Sequence, residues 1–289
     1  MVKIAHRFLI KKLNVIPGRQ IQLVITKHSN RSKNNFLLSI LIVIIIIGFW
    51  CAPAAKYQRL GRLLYQRVES SRLPWQTCAR SVNGRNIKFI EIGSGANTTM
   101  IFGAFHGSEP LSAQLAIEFA EFLFHYYKNR LECRVVIVPI VNPDGLNLGL
   151  RTNANGVDLN RNFPVQNWKR EYQQRSHFPG DHPASEPETR AVLNLIHHYR
   201  PNRAISIHTP LEVINYDGPA HQLAMRMAML NGYPVSREIG YPTPGSLGSY
   251  CGVERNIPTI TLELPERNFK QLWKENRDAL LLTLIYDLN

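Results

Sequence analysis

Short apolar runs alternate with longer amphipathic runs from about residue 76 onward, and this alternation constrains the fold more than any other feature of the chain. Runs rich in Ile, Val or Phe and closed by Gly, Pro, Asn or His are typical of strands. Apolar residues at helical spacing over ten or more positions are typical of helices. The succession favours an α/β domain in which helices cover a β-sheet. The predicted strands are Ile87–Ile92, Thr98–Phe105, Val135–Val141, Ala204–Ile207 and Thr259–Leu264, and the predicted helices are Leu111–Tyr127, Glu186–Tyr199, Gln222–Asn231 and Asn268–Asp287.

The net charge of +13 is concentrated in the first quarter of the chain. Residues 1–72 hold 13 Lys and Arg with a single acidic residue, Glu69, whereas residues 73–289 hold 21 basic and 20 acidic residues. A phosphate-binding groove needs a surplus of basic side chains on the folded domain itself. The distribution therefore argues against nucleic acid as a partner. The oligomeric state stays open.

A long uncharged segment lies near the N terminus. Residues 34–55 are 22 consecutive uncharged residues, and Phe36–Trp50 is almost wholly aliphatic or aromatic. As a helix, this segment would span about 33 Å, enough for the hydrocarbon core of a bilayer. Small residues at Ala52-Pro53-Ala54 suit signal peptidase, so a transmembrane anchor and a cleaved signal both stay open. We expect a basic tail (1–35), a transmembrane or signal segment (36–55), a linker (56–75) and a main domain (76–289).

Two predicted strands lead into residues that can bind metals. His106 and Glu109 follow the strand Thr98–Phe105, where the chain turns into a helix, and His208 follows the strand Ala204–Ile207. Alone, Glu109 could simply be an acidic residue favoured at a helix N-terminus. Strand ends gather at one edge of an α/β sheet, however, so the three side chains are expected to converge. Two imidazoles and a carboxylate predict one catalytic Zn²⁺ ion with a fourth position for water.

The strand Thr259–Leu264 carries a carboxylate, Glu263, among apolar and hydroxyl residues. Burial would raise the pKa of Glu263 and suit it to act as a general base. Taken alone, a strand-end residue that pairs with Arg267 or faces water is the simpler interpretation. The catalytic interpretation depends on the predicted metal ligands.

The segment Leu146–Ala184 is long, polar and rich in Asn, Gly and Pro. A loop of this length in a compact domain is usually functional. Arg161 could clamp a substrate carboxylate, Asn160 could add a neutral donor, and Arg151 could stabilise a developing oxyanion. As parts of a solvated loop, the same residues would have no such roles.

Taken in order, the motifs resemble those of the zinc metallocarboxypeptidases. The resemblance covers about residues 76–285. The matching motifs are His106-x-x-Glu109, Asn142-Pro143-Asp144-Gly145, Asp158-Leu159-Asn160-Arg161-Asn162-Phe163, Ser185-Glu186-Pro187-Glu188, His208 and Thr261-Leu262-Glu263.

This resemblance implies a single-domain mixed β-sheet with helices on both faces. It implies that one zinc ion is bound by His106, Glu109 and His208. In the family's mechanism, Glu263 would be the general base and Arg151 would polarise the scissile carbonyl. The terminal carboxylate of the substrate would be held by Asn160 and Arg161.

Two further pocket residues follow from the resemblance. Tyr241 corresponds to a substrate-capping tyrosine, and Ser249 to the residue that sets side-chain specificity. An uncharged Ser249 argues against a preference for C-terminal Lys or Arg. The family's secretory disulfides find no match, and the four cysteines show no Cys-x-x-Cys spacing, which argues against a disulfide framework.

The short domain and the segment Arg151–Pro164 look most like a bacterial branch of the family that acts on murein peptides. That likeness implies hydrolysis of the amide between γ-D-glutamate and diaminopimelate during peptidoglycan turnover or recycling. The alternatives are a carboxypeptidase that acts on ordinary peptides and an inactive peptidoglycan-binding module. The expected location is the inner membrane or the periplasm, or the cytoplasm if the N-terminal segment is not part of the protein.

Overall fold

Eight β-strands form one mixed sheet in the computed structural model, which describes residues 56–285. In chain order they are β1 (Gln76–Arg80), β2 (Asn86–Ile92), β3 (Thr98–Phe102), β4 (Arg134–Val138), β5 (Arg203–His208), β6 (Val213–Asp217), β7 (Val235–Ser236) and β8 (Thr259–Glu263). Across the sheet the order is β1-β2-β4-β3-β5-β8-β6-β7. The central strands β4, β3, β5 and β8 are parallel, and antiparallel pairs join β2 to β4 and β6 to β8.

Helices connect the strands. Residues 56–70 are helical and form α1. The remaining α-helices of the described residues are α2 (Pro110–Tyr126), α3 (Pro143–Leu148), α4 (Pro187–Tyr199), α5 (His221–Asn231) and α6 (Phe269–Ile285). The five predicted strands and four predicted helices are all present, and their ends within the described residues agree with the prediction to within three residues. The α/β architecture expected from the sequence is confirmed.

Successive side chains of the central strands point to opposite faces of the sheet and build two cores. Ile101 and Ile137 pack on one face with α2, α5 and α6. Met100 and Val136, each one residue earlier in its strand, pack on the other face with α4. Because both faces are covered, the strands are apolar on both sides, as is usual for parallel sheets.

The segment expected to be a linker, 56–75, is instead largely helical. Its side chains Leu64 and Val68 are buried in a third core with Ile117 and Leu146. Arg67 Nη1 lies 2.7 Å from Glu118 Oε1 on α2. Lys56, Arg59 and Arg62 lie on the exposed side of this amphipathic helix. Its apolar side is an integral part of the domain.

The predicted basic tail and the transmembrane or signal segment, 1–35 and 36–55, lie outside the described residues. Among residues 56–285, no helix combines the length and the apolar character needed to cross a bilayer.

Candidate active site

The carboxyl ends of β3, β5 and β8 lie side by side at the centre of the sheet. The first leads into His106, the second ends at His208 and the third ends at Glu263. His208 and Glu263 are register partners across β5 and β8. Adjacent parallel strands thus bring together residues that are far apart in the sequence, at the edge where ligands bind to such sheets.

The turn after β3 is held by the motif that begins at Asn142. The Asn142 Oδ1 accepts a hydrogen bond from the Gly145 amide at 2.8 Å, and its Nδ2 donates to the Phe105 carbonyl at 3.2 Å. Gly107 packs so closely against Gly145 that a Cβ would lie 1.9 Å from the Gly145 carbonyl carbon. These contacts fix His106 and also Glu109, which directly precedes α2.

The three predicted metal ligands converge. His106 Nδ1 lies 2.7 Å from Glu109 Oε1, His208 Nδ1 lies 3.0 Å from Glu109 Oε2, and the two Nδ1 atoms are 3.2 Å apart. All three side chains are buried. Burial opposes ionisation of Glu109, but the two imidazoles outweigh it and lower the pKa of that carboxyl well below its usual range. The carboxylate is therefore ionised and available as a ligand.

The donor set fits a zinc ion. Zinc bound tetrahedrally at about 2.0–2.1 Å from nitrogen or oxygen holds its ligand atoms about 3.3 Å apart, close to the spacing seen here. Two histidines and one glutamate are also a ligand set used by catalytic zinc sites. His106, Glu109 and His208 could therefore hold one ion without rearrangement of the backbone.

Asp158 supports this group, although the sequence analysis assigned it no role. Its Oδ1 lies 3.1 Å from His106 Nε2, and its Oδ2 lies 3.0 Å from Arg151 Nε. Asp158 is fully buried, and burial raises its pKa, but Arg151 and then His106 lower it well below the usual range. The carboxylate orients the His106 ring with Nδ1 towards the metal position, as is common for histidine ligands. Its position directly before Leu159-Asn160-Arg161 was the one feature of the sequence that could have indicated this role.

Glu263 faces the same space. Its side chain is 6% exposed, and Oε2 has no hydrogen-bond partner among the described residues. Burial, and then the charge of Glu109, raise the pKa of Glu263, while His208 and His106 oppose the shift. A buried carboxyl with a raised pKa is suited to take up and release a proton. Arg267, the alternative partner considered for Glu263, instead pairs with Glu275 and Glu212.

A pocket opens from the metal ligands, and Arg151, Asn160, Arg161, Tyr241 and Glu263 all line it. The Asn160 Oδ1 accepts a hydrogen bond from the Leu247 amide at 2.9 Å, which leaves the Nδ2 donor for a substrate. Arg161 Nη1 donates to the Asn160 carbonyl at 2.7 Å. Arg161 is buried, whereas Tyr241 is 45% exposed at the pocket rim.

Ser249 occupies a different position from the one expected. It is buried outside the pocket lining, where its Oγ accepts a hydrogen bond from Asn167 Nδ2 at 2.9 Å and lies 3.2 Å from Ser246 Oγ. Ser246, Gly248 and Asp217 of β6 line the pocket in its place, and Gly248 packs directly against Asp217. The sequence analysis missed Asp217 because it did not predict β6.

Comparisons with known proteins agree with this geometry. The family model described as zinc carboxypeptidase matches residues 65–222. The chain belongs to the zinc carboxypeptidase family. This member of the family is 45% identical over 141 residues to murein peptide amidase A of Escherichia coli K12. The match covers 45% of this chain and 57% of that protein. It is 30% identical over 223 residues to the human carboxypeptidase N catalytic chain, covering 62% of this chain and 48% of the other.

A solved structure extends the likeness over most of the chain. The crystal structure of a murein-tripeptide amidase from Escherichia coli O157 superposes with a TM-score of 0.63 at 32% identity, covering 77% of this chain and 97% of that one. The sequence matches cover 57% of the length of murein peptide amidase A and 48% of the length of the carboxypeptidase N catalytic chain. The family assignment made from the motifs is confirmed.

Proposed function

We propose that the protein is a zinc-dependent murein peptide amidase that hydrolyses the amide bond between γ-D-glutamate and diaminopimelate. One observation carries the proposal: His106, Glu109 and His208 converge beside the buried carboxyl of Glu263, whose Oε2 has no hydrogen-bond partner among the described residues. The murein peptide amidases among the relatives support the substrate class.

The proposed chemistry divides between the metal and the protein. Zinc, when bound, supplies Lewis acidity, which lowers the pKa of water and polarises a carbonyl. Glu263 accepts a proton from the attacking water and then donates a proton to the leaving amine. Its burial beside the metal ligands keeps the carboxyl within reach of both steps and raises its pKa towards the range in which it can do both.

Arg151, Asn160 and Arg161 position the substrate in this proposal. The guanidinium group of Arg151 is held by Asp158 with one nitrogen 2.9 Å from Oδ2, so it presents a fixed positive charge to a developing oxyanion. Arg161 and the Nδ2 of Asn160 bind the terminal carboxylate of the residue that is released. Tyr241, at the rim, closes over the bound peptide.

A second candidate is a carboxypeptidase that releases C-terminal residues from ordinary peptides. The match to the carboxypeptidase N catalytic chain favours it, and the same carboxylate-binding residues would serve both reactions. The inactive binding module is disfavoured because the buried carboxyl of Glu263 lines the same pocket as His106, Glu109 and His208.

Product analysis tests the proposal. The full-length chain is incubated with L-Ala-γ-D-Glu-diaminopimelate and, separately, with an N-acyl dipeptide ending in lysine, each with and without a chelator. We expect metal-dependent release of free diaminopimelate and much slower cleavage of the dipeptide. Faster cleavage of the acyl dipeptide would favour the second candidate, and no cleavage of either by zinc-loaded protein would contradict both.

We also propose that residues 36–55 anchor or export the protein, which would place the domain at the inner membrane or in the periplasm. The support is the uncharged apolar run and its flanking basic residues. Mass spectrometry of the mature N-terminus, combined with cell fractionation, distinguishes an anchor from a cleaved signal. A soluble cytoplasmic protein would contradict both.

A further inference from the structure

A single segment, residues 151–162, carries four side chains of the proposed active site. They are Arg151, Asp158, Asn160 and Arg161. Among these described residues, the one stretch of regular secondary structure is the helical turn Leu159–Arg161. Side chains on a loop keep a precise geometry only where other contacts hold the loop in place. The contacts that hold this segment therefore bear on the reaction.

Asn153 fixes the first part of the segment. It is buried, and its Oδ1 accepts hydrogen bonds from the backbone amides of Asn155 at 3.1 Å and Val157 at 3.0 Å. Its Nδ2 donates to Glu186 Oε2 at 2.7 Å and to Glu188 Oε2 at 3.0 Å. Asn155 Nδ2 donates to the same Glu186 oxygen at 2.8 Å. These bonds join the segment to the start of α4.

Asn162 fixes the last part of the segment at the same place. Its Oδ1 accepts a hydrogen bond from the Glu186 backbone amide at 3.2 Å, and its Nδ2 donates to Ser185 Oγ at 2.9 Å. Glu186 thus contacts Asn153 through its side chain and Asn162 through its main chain. Three of the four active-site residues lie between the two asparagines, and Arg151 lies two positions before the first.

The Glu186 carboxylate depends on these contacts in turn. Its side chain is buried, with 4% of the residue exposed. Its partners among the described residues are neutral donors: Asn153, Asn155 and the hydroxyl of Ser185, which donates to Oε1 at 2.7 Å. A buried carboxylate is costly unless hydrogen bonds replace the water it has lost. Any movement of the segment that breaks these bonds is therefore resisted.

We propose that Glu186 is a positioning residue, which holds residues 151–162 so that Asn160 and Arg161 meet the terminal carboxylate of the substrate. The inference rests on the proposed function and deepens it, because it makes substrate recognition depend on a residue outside the pocket lining. Loss of the Glu186 acceptor would free the segment and displace both donors. A displacement of about 1 Å can slow an enzymatic reaction by about 100-fold.

Two variants of Glu186 separate positioning from stability. Glu186→Ala removes the acceptor for Asn153 and Asn155. Glu186→Gln keeps it, because the amide oxygen can accept from both asparagines and the amide nitrogen can donate to Ser185 Oγ. Leu123→Ala is the matched control. It removes a fully buried side chain of α2 from a core that contains no residue of the segment, so it lowers stability without disturbing residues 151–162.

Two peptides measure the effect of each variant. One is L-Ala-γ-D-Glu-diaminopimelate, and in the other the α-carboxylate beside the scissile amide is converted to a primary amide. Full-length, zinc-loaded wild-type protein should prefer the first by about 10- to 100-fold in kcat/KM, the range expected for hydrogen bonds to a charged group. In Glu186→Ala this preference should nearly disappear, with KM for the first peptide rising more than kcat falls. Glu186→Gln and Leu123→Ala should keep the preference.

An unchanged preference in Glu186→Ala would overturn the inference, as would a wild-type protein that cleaves both peptides equally well. A lost preference in Leu123→Ala, or a loss in Glu186→Gln as large as in Glu186→Ala, would overturn it too. If Glu186→Ala does not fold, Asn155→Asp takes its place, because it sets a second carboxylate against Glu186 Oε2 at an exposed position. Asn155→Asp should lose the preference, and an unchanged preference there would overturn the inference.

Hydrogen exchange distinguishes failure of the inference from failure of the proposed function. If zinc-loaded wild-type protein cleaves neither peptide, the proposed function fails, and exchange decides the inference separately. The amides of Asn155 and Val157, which donate to Asn153, should exchange faster in Glu186→Ala than in wild-type protein, Glu186→Gln or Leu123→Ala. Equal exchange in Glu186→Ala and Leu123→Ala would contradict the inference.

Discussion

At the scale of single residues, two carboxyl groups in the site have opposite pKa shifts. Glu109 lies between two imidazoles, which lower its pKa, whereas Glu263 is buried without a partner for Oε2, which raises its pKa. A group that is always ionised suits metal binding, and a group that can change protonation suits proton transfer. The environment of each carboxyl therefore separates the two proposed roles.

Replacement of Glu263 by Gln keeps the shape of the side chain but removes its ability to accept a proton. We expect Glu263→Gln to retain one zinc ion and to lose at least ~100-fold in kcat, because general acid–base catalysis typically contributes that much. Steady-state kinetics and metal analysis of the same preparation provide the measurement. The exposed Glu266, changed to Gln, serves as the control. Near-normal turnover in Glu263→Gln would remove the assignment of the base.

Asp158 can be tested through the metal. Asn at this position retains the volume but has only one acceptor oxygen. Its NH2 group would therefore face either His106 or Arg151, each of which needs an acceptor. We expect Asp158→Asn to bind zinc about 10- to 100-fold more weakly, the usual effect of removing the partner of a histidine ligand. Competition with a chromogenic chelator measures the affinity. Asp181→Asn, whose side chain is 77% exposed, should bind zinc as the wild type does.

The sequence indicated those site residues that follow predicted strands or stand in the matched motifs. His106, Glu109, His208 and Glu263 each follow or end an apolar run, so strand prediction was enough to bring them together. Asp158 lies in one of the matched motifs but was assigned no role. Its contacts with His106 and Arg151 form only in the tertiary structure. Ser249 was assigned from the family resemblance alone, and in the structure it is buried outside the pocket lining.

At the scale of elements, α1 is the part of the domain that the sequence analysis did not predict. Its exposed face carries Arg59 and Arg62, and its buried face carries Leu64 and Val68. The basic residues dominate the composition of residues 56–72, so the apolar spacing was not recognised. β6 and β7 were missed because they are short and carry polar residues such as Asn215 and Ser236.

Two neighbouring leucines of α1, one buried and one exposed, provide a matched test of how much this helix contributes to stability. Leu64 is 4% exposed and Leu63 is 53% exposed. We expect Leu64→Ala to lower the free energy of unfolding by about 2–4 kcal/mol, because it leaves a cavity against α2. Leu63→Ala should change it by about 0.5 kcal/mol or less. Denaturant unfolding of both variants measures the difference, and equal values would show that α1 does not pack on the domain as described.

At the scale of the whole molecule, the predicted zinc ion would join distant parts of the chain through His106, Glu109 and His208. Zinc that binds the folded protein at about 1,000 times its dissociation constant adds about 4 kcal/mol of stability. For a domain of this size, chelation should then lower the melting temperature by roughly 8–16 °C. Calorimetry with and without chelator measures the shift, and one equivalent of zinc should reverse it. His208→Ala should not respond to the chelator, whereas a variant of the exposed His182, His182→Ala, should respond like the wild type.

The position of β8 in the sheet has a consequence for biosynthesis. This strand comes after all the others along the chain, yet it lies between β5 and β6. Until residues 259–263 have been synthesised, β6 and β7 have no neighbour that connects them to the rest of the sheet, and β5 presents an open edge. A nascent or truncated chain therefore lacks the proposed proton-transfer residue and a continuous sheet at the same time. Hydrolytic competence is thereby deferred until the last strand of the sheet has been synthesised.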